Sequence, residues 1–340
     1  MRLEERPVPE AGANQMLVKI EYAGICGTDV EFFHGHLPPF LRFPILPGHE
    51  NVGIVTELGE GVTGFEVGDR VICGPPSFCR ELCSSCKEGK PNICLNAFPG
   101  RTAGFGTLDG GYSEYLLIND VVHTSIVKIP DNVDMADAVL FDVICVAVHA
   151  ICGSRFKVGD NVVVSGAGSI GLSLIQFLKA GGAKKIVVLD VRDDVEQIVK
   201  QYGGDHLVNT TNNEDITGTV KELLGSDIGA DVVFESAGAP ESFVNCISCV
   251  RPAGQLVCVG TILTPVSFVP AAYHPTEPDI HYSFVYTEAD IKTYMDMLAA
   301  GKVSFPGMVT GIFGIEDVVK EFFGAEDRKG HIKALINPNL

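Results

Sequence analysis

At 340 residues, 46% of them apolar, the chain exceeds one ordinary domain and has ample material for sizeable cores, so two domains are expected. Its 43 acidic against 25 basic residues give a net charge of -18, which repels phosphate over most of the surface and argues against a nucleic-acid partner. Eleven cysteines, in a chain whose opening MRLEERPVPE holds no apolar signal run, point to a reducing cytoplasmic compartment and mostly free thiols.

The first third is rich in Gly, Pro and short β-like runs: MLVKIEYAG, NVGIVTELG, DRVIC and YSEYLLI, punctuated by Pro38, Pro39, Pro44 and Pro47. It reads as an irregular β domain with functional loops. The character changes near residue 145. NVVVSG (161–166) is a buried-looking strand, and SIGLSLIQFLKAGG follows with helical spacing and a Gly stop. Residues 161–178 carry no charge, which raises the question of a membrane span. GAGSIG lies inside that run, so strand, turn and helix explain it better, and no membrane partner is expected. Further strands are expected at KIVVLD (185–190), HLVN (206–209), DVVFES (231–236), QLVCVG (255–260) and DIHYSFV (279–285), with helical segments between most of them. Six such strands predict a doubly wound parallel α/β sheet. After about residue 286 come two helical patterns, DIKTYMDMLAAG and IEDVVKEFFG, and an end strand, HIKALINP, which read as a return to the first domain.

The first of these six strands runs into Gly166-Ala-Gly168-Ser169-Ile170-Gly171. The first Gly permits the tight turn, the second lets the backbone approach a pyrophosphate, the third lets helix pack on sheet, and the helix N-terminus faces the phosphates. Alone, a GxGxxG is weak evidence. Here it sits between strand and helix, and Asp190 ends the next strand, the acid that a dinucleotide site requires. A carboxylate there accepts hydrogen bonds from an unphosphorylated ribose and repels a 2′-phosphate, which predicts NAD over NADP. Arg192, two residues on, pulls the other way, because an arginine can hold that phosphate.

Four cysteines fall within sixteen residues, spaced Cys79-x3-Cys83-x2-Cys86-x7-Cys94. Four thiolates on a compact lobe complete a tetrahedral zinc and leave no room for substrate, so a structural ion is expected. Disulfides suit the compartment poorly. A redox CxxC would open a helix beside a βαβ unit, whereas Cys83-Ser-Ser-Cys86 runs into a Gly- and Pro-containing loop. Chemistry is expected elsewhere. Gly24-Ile-Cys26-Gly-Thr28-Asp29 supplies a thiol and a hydroxyl together, and Pro47-Gly48-His49-Glu50 an imidazole and a carboxylate. A catalytic zinc wants three protein ligands and an open position, and Cys26 and His49 offer two. Taken singly, each has a plainer reading, as a buried structural Cys and a turn His.

Taken together, GICGTD (24–29), PGHENVGIV (47–55), GDRV (68–71), the four-cysteine lobe, GGYSEYL (110–116) and GAGSIG occur in the order of one family, and the chain resembles the zinc-dependent medium-chain alcohol dehydrogenases over nearly its whole length. Within that family it resembles the branch containing sorbitol, threonine and secondary-alcohol dehydrogenases. The resemblance implies a GroES-like catalytic domain over 1–144, with the structural zinc lobe at 79–94. It implies an NAD-binding Rossmann domain over 145–286 and a C-terminal return over 287–340. It further implies two zinc ions per subunit, one catalytic and one structural, and a homodimer or homotetramer. Many relatives use Cys as the third catalytic ligand, others Glu and some Asp. The matching segment, AVLFDVICVAVHA (138–150), carries Asp142 at that place, with Cys145 as the alternative. Glu50 is then an adjacent carboxylate able to reach the metal or tune it.

The chain departs from the family in three places. Three residues, where two are usual, separate Cys79 from Cys83. Glu31 stands where many relatives carry a proton-relay His. The chain begins near the end of the family's first strand, so either the start is shortened or the assigned start codon is wrong. The family's reaction is oxidation of an alcohol by hydride transfer to NAD, with Thr28 beside the metal ligand Cys26 to pass on the proton; the other reading of Thr28 is a local backbone cap. A carboxylate ligand and Glu31 favour polyols or sugars as substrates. FFHGHLPPF (32–40) is expected to line the pocket or simply to pack, and its His34 and His36 read as loop residues. The alternatives are a threonine or amino-alcohol dehydrogenase, for which no ionic anchor is evident, and a catalytically silent zinc-binding relative, which would have no need to retain Cys26, Thr28, His49 and GAGSIG together.

Overall fold

The computed structural model describes residues 1–35, 44–74, 77–80, 82–97, 102–104, 108–325 and 331–340. The chain divides into two compact units, one of residues 1–142 and 285–340, the other of residues 143–284. Each is described by itself.

The first unit is built on strands β1 (Met16–Ile25), β2 (Glu50–Leu58), β3 (Arg70–Gly74), β4 (Tyr115–Ile118) and β5 (Ser125–Lys128). β1 is ten residues long and buried along most of its length, and it pairs antiparallel with β2 and β4. Alternation puts Met16, Val18 and Ile20 of β1 into one core with Val55, Val71 and Leu116. The register of β1 with β2 slips twice, between Leu17 and Val18 and between Ile20 and Tyr22, which curls the sheet. Gly53 sits where a Cβ would lie 2.2 Å from the Lys19 carbonyl oxygen, so only glycine lets the strands close there.

In the second unit the expected doubly wound sheet is present. Strands β6 (Asn161–Ser165), β7 (Lys185–Asp190), β8 (His206–Asn209), β9 (Ala230–Glu235), β10 (Val250–Cys258) and β11 (Asp279–Tyr282) are all parallel, in the order β11-β10-β9-β6-β7-β8. Val162, Val163 and Val164 are wholly buried, as a central strand covered on both faces requires. The helix Ser169–Ala180 turns Leu172, Leu174, Ile175 and Leu178 inward and stops at Gly181 and Gly182. Sheet order reverses between β6 and β9, and the Gly166 turn leaves β6 at that switch point. β10 starts five residues earlier than the apolar run suggests, because Val250 pairs with Ala230 before a break at 251–254 where Ala253 takes a left-handed backbone. β11 ends at Tyr282, short of the expected 285, where Val285 is left-handed.

The C-terminal segment of the first unit adds the helix Glu288–Ala299 and strands β12 (Val309–Gly314) and β13 (Lys333–Asn337). β13 lies antiparallel to β1 and parallel to β12. The pattern IEDVVKEFFG forms only a wide turn over Val319–Phe323, closed by the Gly324 amide donating to the Val319 carbonyl. Two adjacent residues, Phe322 and Phe323, are both buried there. Phe33 packs on Phe323 at 5.3 Å between ring centroids, so that part of FFHGHLPPF is core; residues 36–40 of it lie outside the described residues.

Ile336 is wholly buried on β13, opposite Ala23 of β1. Ile336→Ala is expected to destabilise the first unit by about 2–5 kcal/mol. Chemical denaturation followed by circular dichroism should show this as a lower midpoint with unchanged slope.

Candidate metal and nucleotide sites

Two neighbouring strands and a helix deliver one cluster in the first unit. β1 ends at Ile25, and Cys26 caps the short helix Gly27–Phe33. His49 precedes β2 and Glu50 begins it, while Asp142 lies in the first turn of the helix Phe141–Cys152. Ligand atoms of Cys26, His49, Glu50 and Asp142 all lie within 4.8 Å of one another. Cys145 is buried and stands outside that group. Glu31 is exposed on the Gly27–Phe33 helix, also outside it. The Thr28 hydroxyl is 3.6 Å from Cys26 Sγ. Asp29, and not Thr28, caps the turn, its Oδ2 accepting from the Cys26 amide at 3.0 Å.

The cluster's supports were not singled out in the sequence. Asp29 is fully buried, with Oδ1 3.7 Å from His49 Nδ1. Burial works against a charged His49, but Asp29 and Cys26 outweigh it and raise its pKa well above the ordinary value. The Tyr112 hydroxyl donates to Asp29 Oδ2 at 2.8 Å. Tyr286 donates to Asp142 Oδ1 at 2.5 Å, fixing that carboxylate from the C-terminal segment. Lys333, 3% exposed, pairs with Glu50, which is wholly buried. Burial pushes the Glu50 carboxyl upward while Lys333 pulls against it. Asp29 and Tyr112 lay inside quoted motifs, GICGTD and GGYSEYL; Lys333 and Tyr286 carried no local signal.

As a donor set, one thiol, one imidazole and two carboxylates on a mostly buried site suit a borderline ion such as zinc. Two carboxylates and a thiol gathered at a half-buried point, Glu50 among them wholly buried, also favour a cation.

The second cluster is Cys79, Cys83, Cys86 and Cys94, whose sulfurs also lie within 4.8 Å of one another. Cys79 Sγ to Cys86 Sγ is 3.7 Å and Cys83 Sγ to Cys94 Sγ is 3.9 Å. A disulfide needs about 2 Å, whereas tetrahedral bonds of about 2.3 Å to one zinc place sulfurs roughly 3.8 Å apart. The spacing fits the ion. Burial opposes ionisation of Cys79, yet hydrogen bonds from Asn96 and the neighbouring thiols pull its pKa to about 6, while burial drives Cys86 to about 12. Between the first two cysteines Arg80 takes a left-handed backbone, φ +38°. Its guanidinium lies 5.0 Å over the Phe78 ring and donates to the Val122 carbonyl.

In the second unit, Gly166 has φ +95° and Gly168 precedes the helix that begins Ser169-Ile170-Gly171. A Cβ on Gly171 would lie 1.7 Å from the Gly166 carbonyl oxygen, whereas one on Gly168 would meet nothing within 4 Å. The turn is thus closed inside and open outside, as a backbone cradle for a pyrophosphate must be. Asp190 ends β7 and accepts from the Ala167 amide at 2.7 Å and the Arg192 amide at 3.0 Å. The Arg192 side chain folds back on it at 3.1 and 3.3 Å. Burial disfavours the Asp190 charge, but these donors outweigh it and lower its pKa.

Residues 12–131 match the family pattern of the alcohol dehydrogenase GroES-like domain, and residues 169–300 that of the zinc-binding dehydrogenases. D-xylulose reductase A of Aspergillus oryzae is 32% identical over 99% of this chain and 93% of its own. The structure of 2R,3R-butanediol dehydrogenase from Bacillus subtilis superposes with a TM-score of 0.88 at 27% identity, covering 99% of this chain and 96% of that one. A protein assigned as a zinc-binding dehydrogenase, from Sinorhizobium meliloti 1021 and bound to NADP, gives 0.88 at 26% identity, with 97% and 94% coverage.

Tyr112→Phe removes the donor that fixes Asp29 behind His49. It is expected to weaken metal retention at the first cluster about 10- to 100-fold, read by competition with a chromophoric chelator.

Proposed function

On the premise that the chain belongs to the zinc-dependent medium-chain alcohol dehydrogenases, we propose that it oxidises a secondary alcohol of a polyol or sugar, passing hydride to NAD. The observation that carries this reading is the gathering of Cys26, His49, Asp142 and Glu50 within 4.8 Å in a chain that also builds a dinucleotide turn. A D-xylulose reductase is among the relatives, and its substrate is the ketone partner of a polyol.

Cys26, His49 and Asp142 hold the catalytic zinc in this reading, with Glu50 beside it. When bound, zinc supplies a Lewis acid that lowers the pKa of a substrate hydroxyl. The protein supplies the rest. Asp29 orients His49, and Tyr286 orients Asp142. Thr28, its hydroxyl beside Cys26, takes the proton released as the alcohol becomes a ketone. Three residues further on the same helix stands exposed Glu31, a carboxylate placed to hand that proton to water. In balance, the alcohol loses one hydride to the cofactor and one proton to solvent. Cys79, Cys83, Cys86 and Cys94 hold a second zinc that is structural.

Gly166, Gly168, Ser169, Ile170 and Gly171 cradle the cofactor's phosphates, and Asp190 accepts from its ribose. NAD is favoured because Arg192 is already committed to Asp190, so a 2′-phosphate would have to compete with an ion pair and face a carboxylate. The NADP-bound relative makes the direct comparison of the two cofactors necessary. Self-association as a dimer or tetramer is proposed through the sheet edge at β11, where Tyr282 and Phe284 are 74% and 54% exposed.

The test is cofactor reduction by the zinc-loaded protein on a panel of polyols, simple secondary alcohols, aldoses and L-threonine, each with NAD and with NADP. Turnover concentrated in the polyols with higher kcat/KM for NAD is expected. Equal use of NADP refutes the cofactor assignment, and turnover confined to threonine refutes the substrate class. For the second ion, Cys94→Ser is expected to release one of two zinc ions, counted by elemental analysis, and to lower thermal stability while the other zinc stays. Loss of both from a still-folded protein would contradict the division of roles.

A further inference from the structure

Glu235 is wholly buried and belongs to neither ligand cluster. It ends β9, between β6 on one side and β10 on the other, where the order of the sheet reverses. Its Oε1 accepts from the Gly238 amide and from the Ser242 hydroxyl, each at 2.8 Å. Ser242 uses its one proton there, so the 2.8 Å contact between Ser242 Oγ and Ser165 Oγ is a bond that Ser165 donates. Ser165 ends β6, and its carbonyl accepts from the Ser236 hydroxyl at 2.7 Å and the Ser236 amide at 2.9 Å. The Glu235 carbonyl takes the Val259 and Gly260 amides, which follow β10, at 2.8 and 2.9 Å. One residue thus ties the ends of three strands together. Its second carboxylate oxygen, Oε2, is buried too and has no hydrogen-bond partner. That oxygen faces Gly260, where a Cβ would lie 2.7 Å from it.

Six strands in this order make two mononucleotide-binding halves. β6, β7 and β8, with the Gly166 turn and Asp190, serve the adenosine side in the cofactor reading given above, on which this inference rests. β9, β10 and β11 are left for the nicotinamide nucleotide, and ligands lie outside the carboxyl ends of such strands. Those ends are the segments 236–238 and 259–261, and Glu235 bonds to both. They also touch each other, because a Cβ on Gly260 would lie 2.5 Å from the Gly238 nitrogen. A buried carboxylate with an idle oxygen is costly, and an apolar side chain of like size would fill the space without that cost. What the carboxylate adds is placement. We propose that Glu235 is a positioning residue for the nicotinamide half of the cofactor: through Gly238, Ser242 and Ser165 it fixes segments 236–238 and 259–261 against the end of β6. The seat for that half is then formed before the cofactor arrives, and binding does not have to order it.

The test compares two probes on the zinc-loaded full-length protein: AMP, which can fill only the adenosine half, and NADH, which needs both. AMP binding is read by calorimetry and NADH binding by nicotinamide fluorescence. Glu235→Leu is expected to weaken NADH about 10- to 100-fold and to leave AMP within about twofold of the wild type. Glu235→Gln keeps an acceptor for Gly238 and Ser242 and should bind NADH nearly as the wild type does, a rescue that general loss of packing would not produce. Glu235→Leu that binds NADH like the wild type, or that loses AMP and NADH by the same factor, overturns the proposal. So does Glu235→Gln that loses NADH as far as Glu235→Leu. Should Glu235→Leu not fold, Ser242→Ala decides: a loss of about 3- to 10-fold confined to NADH supports the proposal, and unchanged NADH binding or an equal loss of AMP overturns it. Wild type that does not bind NADH overturns the cofactor reading, and this inference with it.

Discussion

Acidic groups gathered at a half-buried point, with Glu50 and Asp29 beneath it out of reach of water, are the constraint to which the first unit answers. Cys26, Glu50 and Asp142 converge on one point, with Asp29 fully buried behind His49. Such groups are costly to bury unless each finds a partner. Every support around the site is an answer to that cost. Lys333 meets Glu50, Tyr112 meets Asp29 and Tyr286 meets Asp142. These partners come from the middle and the end of the unit's sequence, so its fold and its candidate chemistry are bound to the same contacts.

The second unit faces a different demand, close approach of backbone to backbone at the Gly166 turn, and meets it with missing side chains. Gly171 is glycine because the helix must touch the Gly166 carbonyl, while Gly168 leaves the outside of the turn bare. Gly24 in the first unit obeys the same logic with a carboxylate as the visitor. In all three cases the residue matters for the space it leaves.

Much of this was legible in the sequence because the signals were local. The alternation in MLVKIEYAG, the β-strand run NVVVS followed by GAGSIG, and four cysteines in one lobe each state their structure within a few residues. The resemblance to a family then joined Cys26 and His49 to Asp142, which spacing alone could not do. What stayed hidden was pairing over long separations. Nothing in HIKALINP marks Lys333 as the partner of Glu50, because a strand pattern specifies a face and not a neighbour. The π-like turn at Val319–Phe323 escaped as well, because the apolar pattern of IEDVVKEFFG does not distinguish a wide turn from an α-helix.

Strand β13 pairs with β1 near the start of the chain, and residues 143–284 lie between them in the sequence. A ribosome therefore finishes the second unit's entire sequence before it makes the strand that completes the first. During that interval β1 lacks one hydrogen-bonding neighbour, and Glu50 lacks its lysine. Domains fold as units during synthesis, and pairing over such distance is slow to form. The nucleotide-binding half of the molecule is thus born first, and the half with the metal cluster spends its early life as an open-edged sheet with an uncompensated charge.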